Sequence, residues 1–244
     1  RETGTRKWMD SYNARWPYIA FGGQPPTVEY WRCHKTNKPD QAEANSRRRK
    51  DKFMDSMTRQ IAAYACEPTP DIFPDAIVSG ARRVLLDSMG CALGGIGSEP
   101  VAIARKLVLG GAPSAYPGRV LGSNARASGE SAAFINSAMI RYLDFNDIHH
   151  GSHPSEMIGA LLALAEASGA DGARLLDSII VAYEVGLRLV RATEMRERGW
   201  DQGFAIGIGA AAGIGNLLGL PFDRIAHAVA ITAVSNIPMR ATRA

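Results

Sequence analysis

Between Tyr142 and Ala167 the chain reads YLDFNDIHHGSHPSEMIGALLALAEA. Two aspartates, Asp144 and Asp147, and three histidines, His149, His150 and His153, fall within ten residues, and an apolar stretch follows. Gly151 and Pro154 mark the polar part as a loop. Pro154 suits the first turn of a helix over Met157 to Ala167, which Gly169 would end. A chain that gathers five titratable side chains at the mouth of a hydrophobic helix is building a metal site, an acid/base site, or a polar loop without chemistry.

The same helical spacing recurs on both sides of this stretch. From Ile77 to Leu93 the apolar positions Ile77, Val78, Ala81, Val84, Leu85, Met89 and Leu93 follow a 3.6 period, with Pro74 at the start. Ser98 is placed to cap a helix over Pro100 to Leu109. Further helices are predicted over Ser128 to Leu143, from Asp171 or Gly172 through Val190, over Phe204 to Leu218, and over Phe222 to Val234. RVLG, Arg119 to Gly122, is the one strand-like piece. Strands and helices do not alternate, which counts against a parallel α/β sheet. Alanine and glycine at helical spacing let backbones approach closely, so the expectation is a compact all-α core.

The 244 residues, 46% of them hydrophobic, suit a globular protein. The chain divides near Met57. Residues 1–56 show no amphipathic period and read as a disordered or non-native extension; residues 57–244 read as the folded domain. The extension holds 12 Lys+Arg against 7 Asp+Glu, and the remainder 16 against 17. The net charge of +4 therefore belongs to the extension, and the body is nearly neutral. No nucleic-acid partner follows from it; the run SRRRKDK, Ser46 to Lys52, is the usual solvated charge block. No apolar run reaches about 18 residues, the length a membrane span needs, and no secretory leader pattern is present. Three scattered cysteines, Cys33, Cys66 and Cys91, argue for a reducing compartment such as the cytoplasm.

Each candidate site has a plainer competitor. His149, His150 and His153 are suitable metal ligands by type, but their spacing fits no metal signature, and no metal is expected. The acid/base reading is stronger. His153 precedes a helix start, whose free N–H groups favour anions and a neutral imidazole, and Asp144 closes the preceding helix. Both can face one pocket, where a base beside an anion-binding helix end suits proton abstraction next to a carboxylate. A capping histidine and a loop aspartate would look the same by spacing. GIGAAAGIG, Gly207 to Gly215, follows no strand and lacks the dinucleotide spacing, so it reads as a tightly packed helix. His227, on an apolar helix, reads as a core histidine. Arg240 and Arg243 could clamp carboxylates or sit in surface ion pairs. Past Met57 the single lysine is Lys106, mid-helix, which disfavours lysine chemistry within the chain.

GRVLGSNARASGESAAFINSAMIRYLDFNDIHHGSHPSEMIGALLALAEA (Gly118 to Ala167), with RGWD, AAAGIGNLLGL and IAHAVAI downstream, resembles the helical domain of the MmgE/PrpD family. That family includes 2-methylcitrate dehydratases, cis-aconitate decarboxylases and an iminodisuccinate epimerase. The resemblance runs from Met57 to Ala244 and is strongest from Arg119 to Ala167. It implies an all-α domain whose smaller α/β companion lies outside these residues, so the chain reads as truncated just before a lysine motif. It also implies a cofactor-free homodimer acting on small polycarboxylates. Asp144 and His153 match the family's active-site aspartate and histidine. His149, His150, Ser155, Arg240 and Arg243 then become candidate substrate contacts. The departures are Ile148 in place of threonine, Gln202 in place of histidine, and a loop one residue shorter than in the decarboxylases. The reaction implied is dehydration of a citrate-like tricarboxylate such as 2-methylcitrate. Decarboxylation or epimerisation of a related acid, and an inactive fragment, are the alternatives.

Overall fold

A computed structural model of the chain describes residues 54–67, 73–108, 116–235 and 238–243. The charged run at Ser46 to Lys52 and nearly all of the 1–56 segment lie outside the described residues, as does the Arg243 side chain. The described residues form eight α-helices and one two-stranded hairpin, as the all-α reading requires. In order they are α1 (Ser56–Cys66), α2 (Asp75–Gly95), α3 (Glu99–Val108), β1 (Pro117–Arg119), β2 (Arg126–Ser128), α4 (Gly129–Arg141), α5 (Glu156–Ser168), α6 (Gly172–Thr193), α7 (Gly203–Leu217) and α8 (Phe222–Ser235). A 3-10 turn covers Arg240–Arg243. Among these helices none is long and apolar enough to cross a membrane.

Local chemistry sets most of the ends. Asp55 caps α1 through Oδ1, which accepts from the amides of Met57 and Thr58 at 2.9 Å. The cap of α1 therefore stands two residues before Met57. Ser128 caps α4, and Asp171 caps α6 through the Arg174 amide at 2.8 Å. Gly169 ends α5 with φ 69°, the left-handed conformation that glycine adopts without penalty. Ser98 departs from expectation. Its carbonyl receives the Ala102 amide, but its hydroxyl is buried without a hydrogen bond, so no side-chain cap forms. The strand also differs from the RVLG reading. It is Pro117–Arg119, paired antiparallel with Arg126–Ser128, and Val120 and Ala125 close the turn.

The centre of the core is α6. From Ser178 to Leu187 every residue is buried, including Glu184, whose carboxylate accepts from Arg188 one turn on at 2.9 Å. A helix buried on all sides needs neighbours that come close, and small residues supply this on α7. A Cβ on Gly213 would sit 2.7 Å from the Ala182 Cβ and 2.8 Å from the Ser178 carbonyl. The glycine-rich run is thus a packing surface, as its lack of a preceding strand indicates. Asn216 locks the arrangement: its Oδ1 accepts from Ser178 Oγ at 3.0 Å and its Nδ2 donates to the Ala65 carbonyl on α1 at 3.0 Å. His227 is a correction, because it lies on the exposed face of α8 while Ile225 and Ala226 face inward.

Two polar anchors orient the helices beside the loop. Asn136 on α4 accepts from the Leu121 amide at 2.9 Å and donates to the Arg119 carbonyl at 3.1 Å, tying the hairpin down. Ser137 donates to the Glu156 carbonyl at 2.8 Å, which joins α4 to the first residue of α5. Replacing Gly213 with alanine should destabilise the fold by about 1–3 kcal/mol, since backbone and Ala182 cannot yield. Gly90→Ala, where an added Cβ meets nothing within 4 Å, should be neutral or stabilising. Urea unfolding of the two variants checks both signs.

Candidate active site

The polar loop is a shaped turn between α4 and α5. Asp144 closes the turn that follows α4, with its amide on the Arg141 carbonyl at 3.1 Å and with φ 55°. Aspartate tolerates this left-handed conformation better than most residues. His149 and Ser152 exchange both backbone hydrogen bonds, at 2.8 and 2.9 Å. Between them His150 (φ 46°) and Gly151 (φ 72°) are both left-handed, the pattern of a type I′ hairpin turn. A side chain on Gly151 would collide with the Arg196 guanidinium, which donates to the Gly151 carbonyl at 3.0 Å.

This turn returns the chain so that His153 faces Asp144, with Nε2 at 3.7 Å from Oδ1. The two are also the ends of one hydrogen-bonded chain. Asp144 Oδ1 accepts from Arg141 Nη1 at 2.5 Å, and Arg141 Nε donates to Glu156 Oε1 at 3.0 Å. Gln202 Nε2 donates to the same Glu156 oxygen at 3.1 Å, and Gln202 Oε1 accepts from the His153 amide at 2.8 Å. Asp144 is exposed (69% of its side chain), whereas His153 keeps only 10% of its side chain open. An exposed carboxylate beside an enclosed imidazole is an arrangement that can take a proton from, and return one to, a ligand arriving from solvent.

The expected anion site at the start of α5 is not open. The helix begins at Glu156, two residues after Pro154, and residues 153–155 form a turn. The amides of Glu156, Met157 and Ile158 donate to the carbonyls of His153, Pro154 and Ser155. The Ser155 amide is taken by Asp147 Oδ1 at 3.0 Å. Ser155 itself is fully buried, and its hydroxyl accepts from Asn146 Nδ2 at 2.9 Å. It therefore packs the loop, and nothing of it faces solvent. His149 is half-buried with its Nε2 enclosed and without a hydrogen bond, and its ring meets that of His150 edge-on at 4.6 Å. His150 is exposed.

His150 lines a cleft of about 270 Å³ together with Ser152, Arg191, Arg196, Glu197 and Gln202. The C-terminal segment comes to the same end of the domain. Trp200 pairs with Met239, the Asp201 amide donates to the Pro238 carbonyl at 2.9 Å, and the Arg240 amide donates to the Gly199 carbonyl at 2.9 Å. Arg240 thus hangs, exposed, from the loop whose Gln202 holds His153. Among the described residues no three His, Cys, Asp or Glu side chains converge as metal ligands would.

A profile of the MmgE/PrpD N-terminal domain matches residues 59–244. The chain belongs to the MmgE/PrpD family. Its relatives include the cis-aconitate decarboxylase-like protein oryM of Aspergillus oryzae, 29% identical over 72% of this chain and 39% of the relative. The 2-methylcitrate dehydratase of Salmonella typhi is 32% identical over 67% of this chain and 36% of the relative. The mitochondrial 2-methylcitrate dehydratase of Yarrowia lipolytica is 25% identical over 82% and 40%. This MmgE/PrpD chain spans less than half the length of the relatives it matches.

Sequence reasoning missed Gln202 and Asp147. Gln202 stood out only as a departure from the family pattern, yet it holds the His153 amide. Asp147 was one of five titratable residues in the loop, and nothing local separates it from Asp144. A tyrosine in the middle of an apolar helix, Tyr183, was the available signal, because a buried phenol needs a partner.

His149 offers a test of the loop's burial. Its ring is pushed down from 6.5 to about 4, by burial first and then by His150 and Arg191. Between these values the unfolded chain binds more protons than the folded one. This contribution is therefore whole above pH 6.5 and is lost as the pH falls towards 4. Urea midpoints measured across that window should fall less steeply for His149→Gln than for the parent.

Proposed function

We propose that this chain is the helical part of a lyase that dehydrates a citrate-like tricarboxylate, such as 2-methylcitrate, by acid/base chemistry without a cofactor. One observation carries the reading: His153 Nε2 and Asp144 Oδ1 face each other at 3.7 Å at the solvent end of a buried core. The names of the bacterial and yeast relatives support the reaction class. In the reaction, one member of the pair takes the proton next to a substrate carboxylate. The C–H electron pair becomes the new C=C bond, the C–O bond breaks with its own pair, and the departing hydroxyl leaves as water after protonation. The second proton comes from the other member of the pair or from a group outside this chain. Arg240 and Arg243 would hold carboxylates, since a guanidinium matches a carboxylate with two parallel hydrogen bonds. They would also offset the charge that builds as the proton leaves.

The reading includes a homodimer in a reducing compartment such as the cytoplasm. Leu86 and Leu93 on α2, 73% and 65% exposed, support a covered face there. A second reaction, decarboxylation of a related acid, is favoured by the resemblance to the Aspergillus oryzae protein. Epimerisation would use the same proton abstraction.

NMR of the full chain incubated with 2-methylcitrate and excess chelator should show the dehydrated, methyl-aconitate product. CO2 release from cis-aconitate without dehydration would move the assignment to decarboxylation. Neither product would sink the lyase reading for this chain. His153→Ala should lower the rate by about 10²–10⁴-fold, the contribution of a positioned acid or base, with helicity by circular dichroism unchanged. Parental turnover in that variant would remove His153 from the mechanism.

A further inference from the structure

The face that His153 turns towards Asp144 is decided by what its other nitrogen meets. Nδ1 lies 2.9 Å from the backbone carbonyl oxygen of Asp147. A carbonyl oxygen only accepts, so Nδ1 must carry a hydrogen for this contact to bond. In the neutral ring that leaves Nε2 with the lone pair, and Nε2 is the nitrogen facing Asp144.

The Asp147 carbonyl is in turn held in place through its own side chain. Asp147 Oδ2 accepts from the Tyr183 hydroxyl at 2.9 Å, and Oδ1 accepts from the Ser155 amide at 3.0 Å. Tyr183 is 1% exposed at the middle of α6, the most enclosed helix of the fold. Burial, and then the Asp147 carboxylate, push its phenol well above the usual value, so it remains a donor at every working pH. Both ends of Asp147 are thereby committed: the side chain to the core, the carbonyl to His153.

We propose that Tyr183 and Asp147 form a positioning pair that locks His153 as the Nδ1–H tautomer and presents Nε2 as the proton acceptor of the site. The proposal rests on the acid/base reading above and assigns the roles that reading leaves open. His153 is the group that takes the substrate proton: an Nε2–H bond forms as the C–H bond breaks, and that electron pair stays on the substrate. Asp144 then faces the imidazolium and stabilises it, in the same geometry that Arg141 already holds.

Nitrogen NMR of the full chain labelled with 15N-histidine tests this without substrate. The His153 signals are assigned by their loss in His153→Gln. The neutral His153 ring should be a single Nδ1–H tautomer in the parent. In Tyr183→Phe, which leaves Asp147 Oδ2 without its buried donor, the Nε2–H form should appear beside it. Asp147→Asn, which places an amide where two acceptor oxygens stood, should give the same mixture and serves if Tyr183→Phe does not fold. A parent ring in the Nε2–H form, or an even mixture, would overturn the proposal. So would folded variants that both keep the parental tautomer. The spectrum needs no turnover. A locked Nδ1–H ring in a protein inactive on every polycarboxylate tried would count against the lyase reading and leave the lock standing.

Discussion

A buried phenol must find a partner, and the organisation of this domain follows from where it finds one. Tyr183 sits on α6, which is enclosed along its middle by the other helices. An unpaired hydroxyl there would cost about 1–3 kcal/mol. Its partner, Asp147, lies 36 residues away on the α4–α5 loop. That bond draws the loop onto the core. The loop's second anchor, the Ser155 amide on the same carboxylate, places the start of α5. The most buried helix thus sets the position of the most polar loop, and a site built on a loop gains the precision of a site built on a helix.

Around this anchor the polar residues divide into those that hold and those that are held. Asn146, Asp147, Ser155, Glu156 and Gln202 spend their hydrogen bonds on each other, on Tyr183, on Arg141 or on loop backbone. Asp144 is exposed, and Nε2 of the largely enclosed His153 faces it. The helix N-terminus, which looks from the sequence like an anion cradle, is consumed by the turn at residues 153–155. In the proposed reaction, carboxylate recognition would therefore fall to side chains. Arg240 is brought near by the pairing of Trp200–Asp201 with Pro238–Met239, and Arg191 and Arg196 line the adjoining cleft.

The same division explains the small residues. Because α6 has no solvent face along its middle, α7 must approach to backbone distance, and Gly209 and Gly213 allow it. The reading of GIGAAAGIG as a nucleotide loop fails on context, and its packing role is the physical alternative. Gly151 is different in kind. It is left-handed and lies under the Arg196 guanidinium, so both its backbone and its missing side chain are in use.

By itself the sequence determined the helices, because these depend on neighbours three or four residues apart, and its motifs carried the resemblance to the family. Asp171 and Gly169 act within one turn of where they stand, and periodicity placed α2, α5, α6, α7 and α8 to within a few residues. The pairing of Asp144 with His153 came from resemblance to the family, since spacing alone allowed a plain polar loop. Tertiary structure alone decided the rest: that Asp147 is the anchor and Asp144 the exposed carboxylate, that Ser155 is buried, that Gln202 holds His153, and that His227 faces outward. The reason is distance along the chain. A hydrogen bond between residues 36 or 49 positions apart leaves no periodic trace, and two aspartates three residues apart become different groups only when the core supplies a donor to one of them.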